Sequence, residues 1–238
     1  MKKQILFALA FAALAVTGNA QRYYYRSAPW DGNKTYILNV GTDFNITPRD
    51  FGPNSSGLVT TPGLAASFRY EGDKEISKSL SWGYQVELSY LGQGIKYNEK
   101  LENNNTRYAD YNWWELQFDV RLSFSYWPAD NIELQAAAGV FVQPFTGFSG
   151  KIYETDAKGV EVPDSRKDNS GGTIFNFGTG ISTMVQAKYF FTDEFFASFN
   201  IHDDISLSFF SKEFAENTLG KGGQRGVVML GVGYKFFR

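Results

Sequence analysis

Residue types that commonly perform catalysis come together once in this 238-residue sequence, around its single histidine. His202 is followed by Asp203 and Asp204, and then by Ser206 and Ser208. General-base or nucleophilic chemistry needs such groups within hydrogen-bonding reach of one another. In a regular strand His202 and Asp203 would point to opposite faces, whereas His202 and Asp204 would share one face. The residue types alone therefore do not define a catalytic site.

The sequence contains few residues suited to binding a metal ion, a cofactor or nucleic acid. With one histidine and no cysteine, the chain can form neither a multi-histidine metal site nor a thiolate site. The net charge of −2 comes from 23 Lys and Arg against 25 Asp and Glu, which leaves no basic surplus for nucleic acid. We predict no catalytic residue, no cofactor, no metal ion and no nucleic-acid partner.

Charged residues also recur along segments in which polar and apolar residues alternate. Glu87, Asp119 and Arg121 fall at similar positions in two such segments. If these segments are adjacent strands, the planar fork of donors on Arg121 can bridge the two carboxylates. A second set of charges, nearer the ends of its segments, consists of Arg69, Glu133, Lys188 and Lys235.

The alternation itself predicts long strands with one apolar face. In residues 114–126 every even position is apolar and every odd position is polar. Strands of globular proteins cluster near about 5–6 residues, whereas a tilted membrane strand needs about 9–11. A soluble sandwich would also have no reason to place Tyr and Trp at strand ends, where a membrane barrel carries aromatic girdles. The same pattern recurs in eight segments, at 36–44, 64–70, 82–90, 114–126, 132–142, 175–189, 195–201 and 228–236.

These segments predict an all-β chain that forms a single antiparallel up-and-down transmembrane β-barrel. We expect eight strands, or ten if a hairpin from a loop joins the wall. Long polar connections alternate with shorter ones, as in bacterial membrane barrels with extracellular loops, so both termini are expected on the periplasmic side. Short turns are expected at 127–131 and 191–194, a middling one at 71–80, and long loops at 46–62, 92–110, 144–173 and 210–225. Within 92–110 and 144–173 we expect hairpins that stand above the membrane.

The first twenty residues have the features of a cleavable secretory signal. Lys2 and Lys3 precede an apolar run at 5–16, which is too short to span about 30 Å of hydrocarbon as a helix. Small residues then lead to a cleavage site between Ala20 and Gln21. Residues 1–20 are therefore predicted to be the signal peptide, 21–34 a periplasmic N-terminal tail, and 35–238 the barrel.

The final segment resembles the C-terminal assembly signal of Gram-negative outer-membrane proteins. Alternating apolar residues end in an aromatic one, although Phe237 and Arg238 extend past the usual terminal phenylalanine. The mature chain resembles the small outer-membrane barrels that include OmpA-, OmpX- and OmpW-like proteins. This resemblance implies one barrel in the lipids of the outer membrane and recognition by the barrel-assembly machinery. The matching residues are Val228, Leu230, Val232, Tyr234 and Phe236.

Three functions fit such a barrel. Side chains just fill the interior of an eight-stranded barrel, so we expect a structural or porin-like barrel with at most a narrow, cation-preferring pore. Glu87, Asp119 and Arg121 would then form an ion-pair cluster in the lumen, and the second set of charges would ring its periplasmic mouth. One alternative is a surface adhesin or ligand-binding protein that uses loops 92–110 and 144–173. A remote alternative is a lipid-modifying barrel enzyme. The predicted lumen charge is −2, from Asp43, Glu87, Glu115, Asp119, Glu133 and Asp204 against Arg69, Arg121, Lys188 and Lys235.

Overall fold

The structure, a computed structural model, describes most of the predicted barrel. The predicted signal peptide with its Ala20–Gln21 cleavage site lies outside the described residues, as does most of the predicted tail 21–34. No helix in the described part of the chain is long and apolar enough to cross a membrane. The described residues are 32–45, 56–101, 104–207 and 224–236.

In the described part of the chain, nine β-strands make up one antiparallel sheet, and eight of them close into a barrel. Strand β1 pairs with both β3 and β9, and β4 pairs with both β3 and β5, so the sheet has no open edge through the wall. The prediction of an eight-stranded barrel is confirmed. The strands are β1 Asn33–Asn45, β2 Ser56–Thr61, β3 Gly63–Ser77, β4 Leu80–Lys100, β5 Thr106–Ala129, β6 Ile132–Thr155, β7 Lys167–Phe190, β8 Phe195–Ser206 and β9 Gln224–Phe236.

The ninth strand, β2, leads into β3 and is separated from it by Pro62. A proline has no backbone N–H to donate to a strand ladder, so it interrupts pairing. The register against β4 changes across this position, from Thr61 opposite Gly94 to Ala65 opposite Leu91. Strand β2 therefore pairs with the upper part of β4 and is not an additional strand of the wall.

The wall has the reverse polarity of a soluble protein. Along β5, Asp119 and Arg121 are both 1% exposed, whereas Leu122 and Phe124 are 63% and 64% exposed. Neighbouring strands repeat this arrangement because successive side chains of a strand point to opposite faces. Exposure of so continuous an apolar face to water would be strongly unfavourable, whereas contact with lipid acyl chains would stabilise it. The chain is a transmembrane β-barrel.

Three short turns define one end of the barrel, which we call the short-turn end. Residues 78–79 join β3 to β4, 130–131 join β5 to β6, and 191–194 join β7 to β8. Strand β1 begins at this end and β9 finishes there. The predicted middling turn at 71–80 is wrong, because β3 continues to Ser77 and β4 starts at Leu80.

The strands are longer at the opposite end than the sequence predicts. Strand β4 has 21 residues, and β5, β6 and β7 have 24 each, so most of 92–110 and 144–173 is strand and not loop. The hairpin predicted within 92–110 is the upper part of the β4–β5 ladder, where residues 95–100 pair with residues 106–111. Within 144–173 the strands β6 and β7 pair with each other, and the connection between them contains one isolated bridge, between Thr155 and Glu161. The predicted loops 46–62 and 210–225 lie largely outside the described residues.

Side-chain pairs also connect neighbouring strands in these extensions. The rings of Tyr108 and Tyr153 stack with centroids 5.3 Å apart. Arg107 Nη2 lies 3.0 Å from Glu154 Oε1. In these extensions polar and apolar residues no longer alternate, because both faces of the sheet contact polar surroundings. The backbone hydrogen bonds between the strands nevertheless continue.

A charge on the outer face tests the membrane assignment. We expect Leu122→Arg to lower the free energy of unfolding by about 2–4 kcal/mol, because the arginine would lie near the middle of the bilayer. The measurement is urea unfolding of the protein refolded in lipid vesicles. Ala157→Arg, in the exposed connection between β6 and β7, is the control and should change little. Equal losses from the two variants would contradict a lipid-facing wall.

Candidate functional site: a polar network in the lumen

Inward side chains of three neighbouring strands meet at one level. In the strand register, Arg69 of β3 lies opposite Glu87 of β4, and Glu87 lies opposite Asp119 of β5. The period-two alternation points all three into the lumen, where each is at most 1% exposed. Arg121 follows two residues after Asp119 on the same face. We call Arg69, Glu87, Asp119, Arg121 and His202 the central cluster.

Arg121 bridges the carboxylates of Glu87 and Asp119. Its Nη1 donates to Glu87 Oε2 at 2.6 Å, and its Nη2 lies 2.8 Å from Asp119 Oδ1. Its Nε donates to Ser182 Oγ of β7 at 2.9 Å, which links the cluster across the lumen. Like charges on adjacent strands destabilise a sheet when nothing separates them, so this guanidinium has a clear stabilising role.

Arg69 joins the central cluster and not the set at the mouth, where the sequence analysis placed it. Its Nε and Nη2 donate to the two carboxylate oxygens of Glu87, both at 3.1 Å. Its Nη1 donates to Gln186 Oε1 at 3.0 Å. The contact with the lower level is weaker, at 3.6 Å from Glu71 Oε1. The long side chain reaches its strongest partner on the next strand, which a count of residues along one strand does not capture.

His202 is enclosed between the two arginines. Its Nδ1 lies 3.3 Å from Arg121 Nη2, and its Nε2 lies 3.0 Å from Arg69 Nη2 and 2.8 Å from Asn200 Oδ1. A neutral imidazole accepts at one nitrogen and donates from the other, so only one arginine can donate to it at a time. An imidazolium would instead face two guanidinium groups. The side chain is 3% exposed.

Asp204 and Asp203 have partners other than His202. Asp204 is buried and accepts hydrogen bonds from Ser182 Oγ at 2.5 Å and Gln117 Nε2 at 2.9 Å. Asp203, on the opposite face of β8, accepts both of its hydrogen bonds from Gln224 Nε2 at 2.8 Å. These contacts give His202 and Asp204 the roles of packed network members in the lumen.

The second predicted set is joined by two carboxylates that lie in β3, where the sequence predicts a turn. Lys188 Nζ donates to Glu71 Oε2 at 2.5 Å and to Glu133 Oε1 at 3.0 Å. Lys235 Nζ lies 3.3 Å from Asp73 Oδ2 and 3.5 Å from Glu133 Oε2. Glu71, Asp73, Glu133, Lys188 and Lys235 form what we call the lower ring. Glu71 and Asp73 were missed because β3 extends beyond its apolar positions.

Apolar side chains pack inside the barrel at the short-turn end. The Trp127 and Phe190 ring centroids are 5.1 Å apart, and those of Phe190 and Phe196 are 4.9 Å apart. Ile37 completes this buried group, which we call the aromatic plug. Lys235 Nζ lies 4.9 Å from the Trp127 ring centroid, so the plug contacts the lower ring through a cation–π contact. The sequence predicts a turn at Trp127 and a strand that ends before Phe190, whereas both residues belong to strands, β5 and β7.

A further polar level lies towards the other end of the lumen. Arg225 Nη1 donates to Glu115 Oε2 and its Nη2 donates to Gln117 Oε1, both at 2.5 Å. Asp43 and Asp204 carry the other acidic groups of this level, which we call the upper layer. Arg225 was missed because β9 starts before its first apolar position. The lumen residues that are described include eight buried carboxylates and five buried Lys and Arg side chains, so their formal charge is −3 and not the −2 predicted.

The residues of the predicted assembly signal lie on the outer face of β9. Leu230 and Val232 are 66% and 64% exposed, and Phe236 is 46% exposed. Strand β9 pairs with β8 on one side and with β1 on the other, so it closes the barrel. Recognition of Val228, Leu230, Val232, Tyr234 and Phe236 by the assembly machinery stays a prediction.

The closed wall, its apolar outer face and its buried, charged inward side chains define a transmembrane β-barrel. No protein-family model and no curated protein matches the chain. Among solved structures, the barrel is similar to the outer membrane protein OprG of Pseudomonas aeruginosa, at 12% identity and a TM-score of 0.48, over 87% of this chain and 97% of that one.

Two other solved structures show a similar likeness. The N-terminal β-barrel domain of OprF of Pseudomonas aeruginosa is 14% identical, with a TM-score of 0.42, over 86% of this chain and 98% of that one. The attachment invasion locus protein Ail of Yersinia pestis, solved with the heparin analogue sucrose octasulfate, is 13% identical, with a TM-score of 0.41, over 87% and 99%.

Loss of the bridging guanidinium should be far more damaging than loss of a surface one. We expect Arg121→Ser to lower the free energy of unfolding by about 3 kcal/mol, because Glu87 and Asp119 would lose a buried partner. Arg107→Ser is the matched control, since it removes a partly exposed pair with Glu154 that is expected to contribute at most about 1 kcal/mol. Urea unfolding in lipid vesicles measures both. Similar losses would contradict a stabilising role for the central cluster.

Proposed function

We propose that this protein is a structural outer-membrane barrel whose lumen is closed by its own side chains. The observation that carries the proposal is the bridge from Arg121 to Glu87 and Asp119, backed by Arg69 across the same level. Between this bridge and the short-turn end, the lumen contains first the lower ring and then the aromatic plug. A polar barrier and an apolar barrier in series leave no free route for ions. Any residual leak should favour cations, because the lumen residues that are described carry a net negative charge.

We place the long strand extensions outside the cell and both termini in the periplasm. Short turns at one end and tall hairpins at the other are the usual layout of bacterial barrels, and the predicted signal at 1–20 supports export. In this placement outer-membrane lipids surround the wall, and the barrel-assembly machinery inserts it through β9. The short-turn end then faces the periplasm.

A second candidate function uses the strand extensions as a binding surface. On their outer face, Lys96 lies 3.4 Å from Asp110, and Asp110 is opposite Lys151 in the register. Such a charged row lies along the outer face of the sheet above the membrane. A surface adhesin or ligand-binding protein could present this sheet to an extracellular partner. The solved structure of Ail with a heparin analogue shows that one barrel of similar fold binds such a compound.

Lipid-modifying catalysis has less support. An enzyme that acts on membrane lipids must bring its histidine and serine to a lipid-accessible position. His202 is instead enclosed by Arg69 and Arg121, and its hydrogen-bond partners are network residues. We propose that the protein is not an enzyme.

Planar-bilayer conductance tests the closed lumen. We expect no steady conductance from the wild type, and none from Arg121→Ser or Phe196→Ala alone, because one barrier persists in each. The double variant should give cation-selective steps. Steady conductance of the wild type would contradict the proposal.

Phe199→Ala is the matched control for the plug. Phe199 lies on the same strand as Phe196 but is 45% exposed on the outer face, against 1% for Phe196. The double variant with Arg121→Ser and Phe199→Ala should show no steady conductance. A double variant with Phe199→Ala that conducts as well as the one with Phe196→Ala would show that general loosening of the barrel is responsible.

Epitope tags test the orientation. A tag inserted at Asn104 or Asp164 should bind antibody on intact cells, because both positions lie at the tips of the long hairpins. A tag at Asp130, in a short turn, should bind only after the outer membrane is breached. Access to Asp130 on intact cells, with Asn104 protected, would show the opposite orientation.

A further inference from the structure

Two lysines lie on the lipid-facing wall near the short-turn end. Lys34 of β1 and Lys74 of β3 point outward, because the residues beside them in each strand, among them Thr35 and Asp73, are buried in the lumen. A charged group on this face is tolerated near the edge of the bilayer and is strongly unfavourable at its middle. The height of these lysines in the membrane therefore decides what they can contact.

The strand register gives that height. The row of paired residues that starts at Lys34 passes through every strand of the wall and returns to β1 at Phe44, ten residues further on. Each step to the next strand therefore raises the row by slightly more than one residue. With this correction, five other strands carry aromatic residues at the level of Lys34 and Lys74, namely Trp82, Tyr126, Tyr189, Phe195 and Tyr234. Aromatic rings of such a girdle lie among the lipid headgroups, so the lysines do too.

The outward neighbours of the two lysines include no acidic residue. The register places Phe236 of β9 and Gly72 of β3 on either side of Lys34. Lys74 lies opposite Trp82 of β4. Lys74 also interacts within the protein, but an ammonium group has three N–H donors and can bind a further group. Two positive charges thus lie on adjacent strands with no carboxylate between them on this face.

Gly72 leaves a notch between the lysines, and the Tyr84 side chain lies over it. A Cβ atom at position 72 would be 2.7 Å from Tyr84 Cε1 and 3.0 Å from its hydroxyl oxygen, so only glycine permits this close approach. Tyr84 shares a side-chain hydrogen bond with Tyr70, and a phenol hydroxyl can accept one hydrogen bond while it donates another. We call Lys34, Gly72, Lys74 and Tyr84 the lysine notch.

An apolar strip continues from the lysine notch towards the middle of the membrane. Leu38, Phe68 and Leu88 are paired across β1, β3 and β4 and are 60%, 47% and 52% exposed. The rings of Tyr36 and Phe68 stack with centroids 6.1 Å apart, which joins the notch level to the strip. An acyl chain whose headgroup lies at the notch would contact this strip.

We propose that the lysine notch binds the phosphate group of an anionic phospholipid such as phosphatidylglycerol. Diagonal neighbours on adjacent strands are about 7–8 Å apart, so both ammonium groups reach one phosphodiester, and the Tyr84 hydroxyl supplies a third donor. Basic residues at a membrane surface attract anionic lipids, whereas a zwitterionic lipid would bring an ammonium group of its own to the two lysines. The site lies on the outer wall, so it does not depend on a closed lumen or on which end faces the cell exterior.

The test measures lipid binding by the whole protein. Protein refolded from urea into dodecyl maltoside receives phosphatidylglycerol or phosphatidylcholine at constant ionic strength. Thermal unfolding is followed by circular dichroism, and native mass spectrometry counts the lipids that stay bound. We expect a saturable rise in melting temperature with phosphatidylglycerol, one retained lipid per chain, and affinity about tenfold lower for phosphatidylcholine. Soluble glycerol phosphate should have no effect, because it has no acyl chain to contact the apolar strip.

Variants of charge and of shape separate the lysine notch from general attraction. Lys34→Gln and Lys74→Gln should each weaken phosphatidylglycerol binding about fivefold, the contribution expected of one basic residue near a membrane surface. Lys78→Gln, in the exposed turn between β3 and β4, is the matched control and should bind as the wild type does. Gly72→Val keeps every charge but displaces Tyr84 and fills the notch, so it should also weaken binding.

Three results would overturn the proposal. The first is equal affinity of the wild type for phosphatidylglycerol and phosphatidylcholine. The second is an equal loss from Lys78→Gln and Lys34→Gln, which would show attraction without a defined site. The third is unchanged affinity of Gly72→Val. If a variant does not refold, native mass spectrometry of the wild type decides, and the absence of a retained phosphatidylglycerol rejects the site.

Discussion

The charges in the lumen are stable only because they pair with one another, and the rest of the barrel depends on this pairing. Because the outer face contacts lipid, the polar residues of each strand must lie on the inner face. In a space that side chains fill, each charge then needs a partner on a neighbouring or opposite strand. Arg121 meets this need for Glu87 and Asp119, and through Ser182 it also ties β5 to β7.

This pairing makes the interior a set of connected levels. The central cluster, the lower ring and the upper layer each join strands that are distant along the chain, for example Lys188 with Glu71. Such links across the lumen add to the ladder bonds between adjacent strands and resist deformation of the barrel. The aromatic plug contributes apolar packing at the short-turn end, where it adjoins the lower ring. The side chains that stabilise the barrel are therefore the same ones that we propose close its lumen.

The sequence predicts the wall well and its ends poorly. Period-two alternation is a local property, so the eight strands and the inward direction of Glu87, Asp119 and Arg121 follow from it directly. Strand ends are set by turns and backbone pairing, which continue where hydrophobic alternation has stopped. For this reason Glu71, Trp127 and Arg225 were missed. Arg69 was predicted in the wrong set for another reason. The partner of a long side chain depends on how far it reaches across neighbouring strands, and the alternation along one strand does not show this.

Strand β5 extends well beyond the level of the upper layer. Glu115, its residue in that layer, comes nine residues after the strand begins at Thr106, so at about 3.3 Å per residue and a tilt of about 45° the strand rises roughly 20 Å above the layer. A macromolecule that approaches the membrane from this end would therefore meet the extended sheet long before it reached the buried charges.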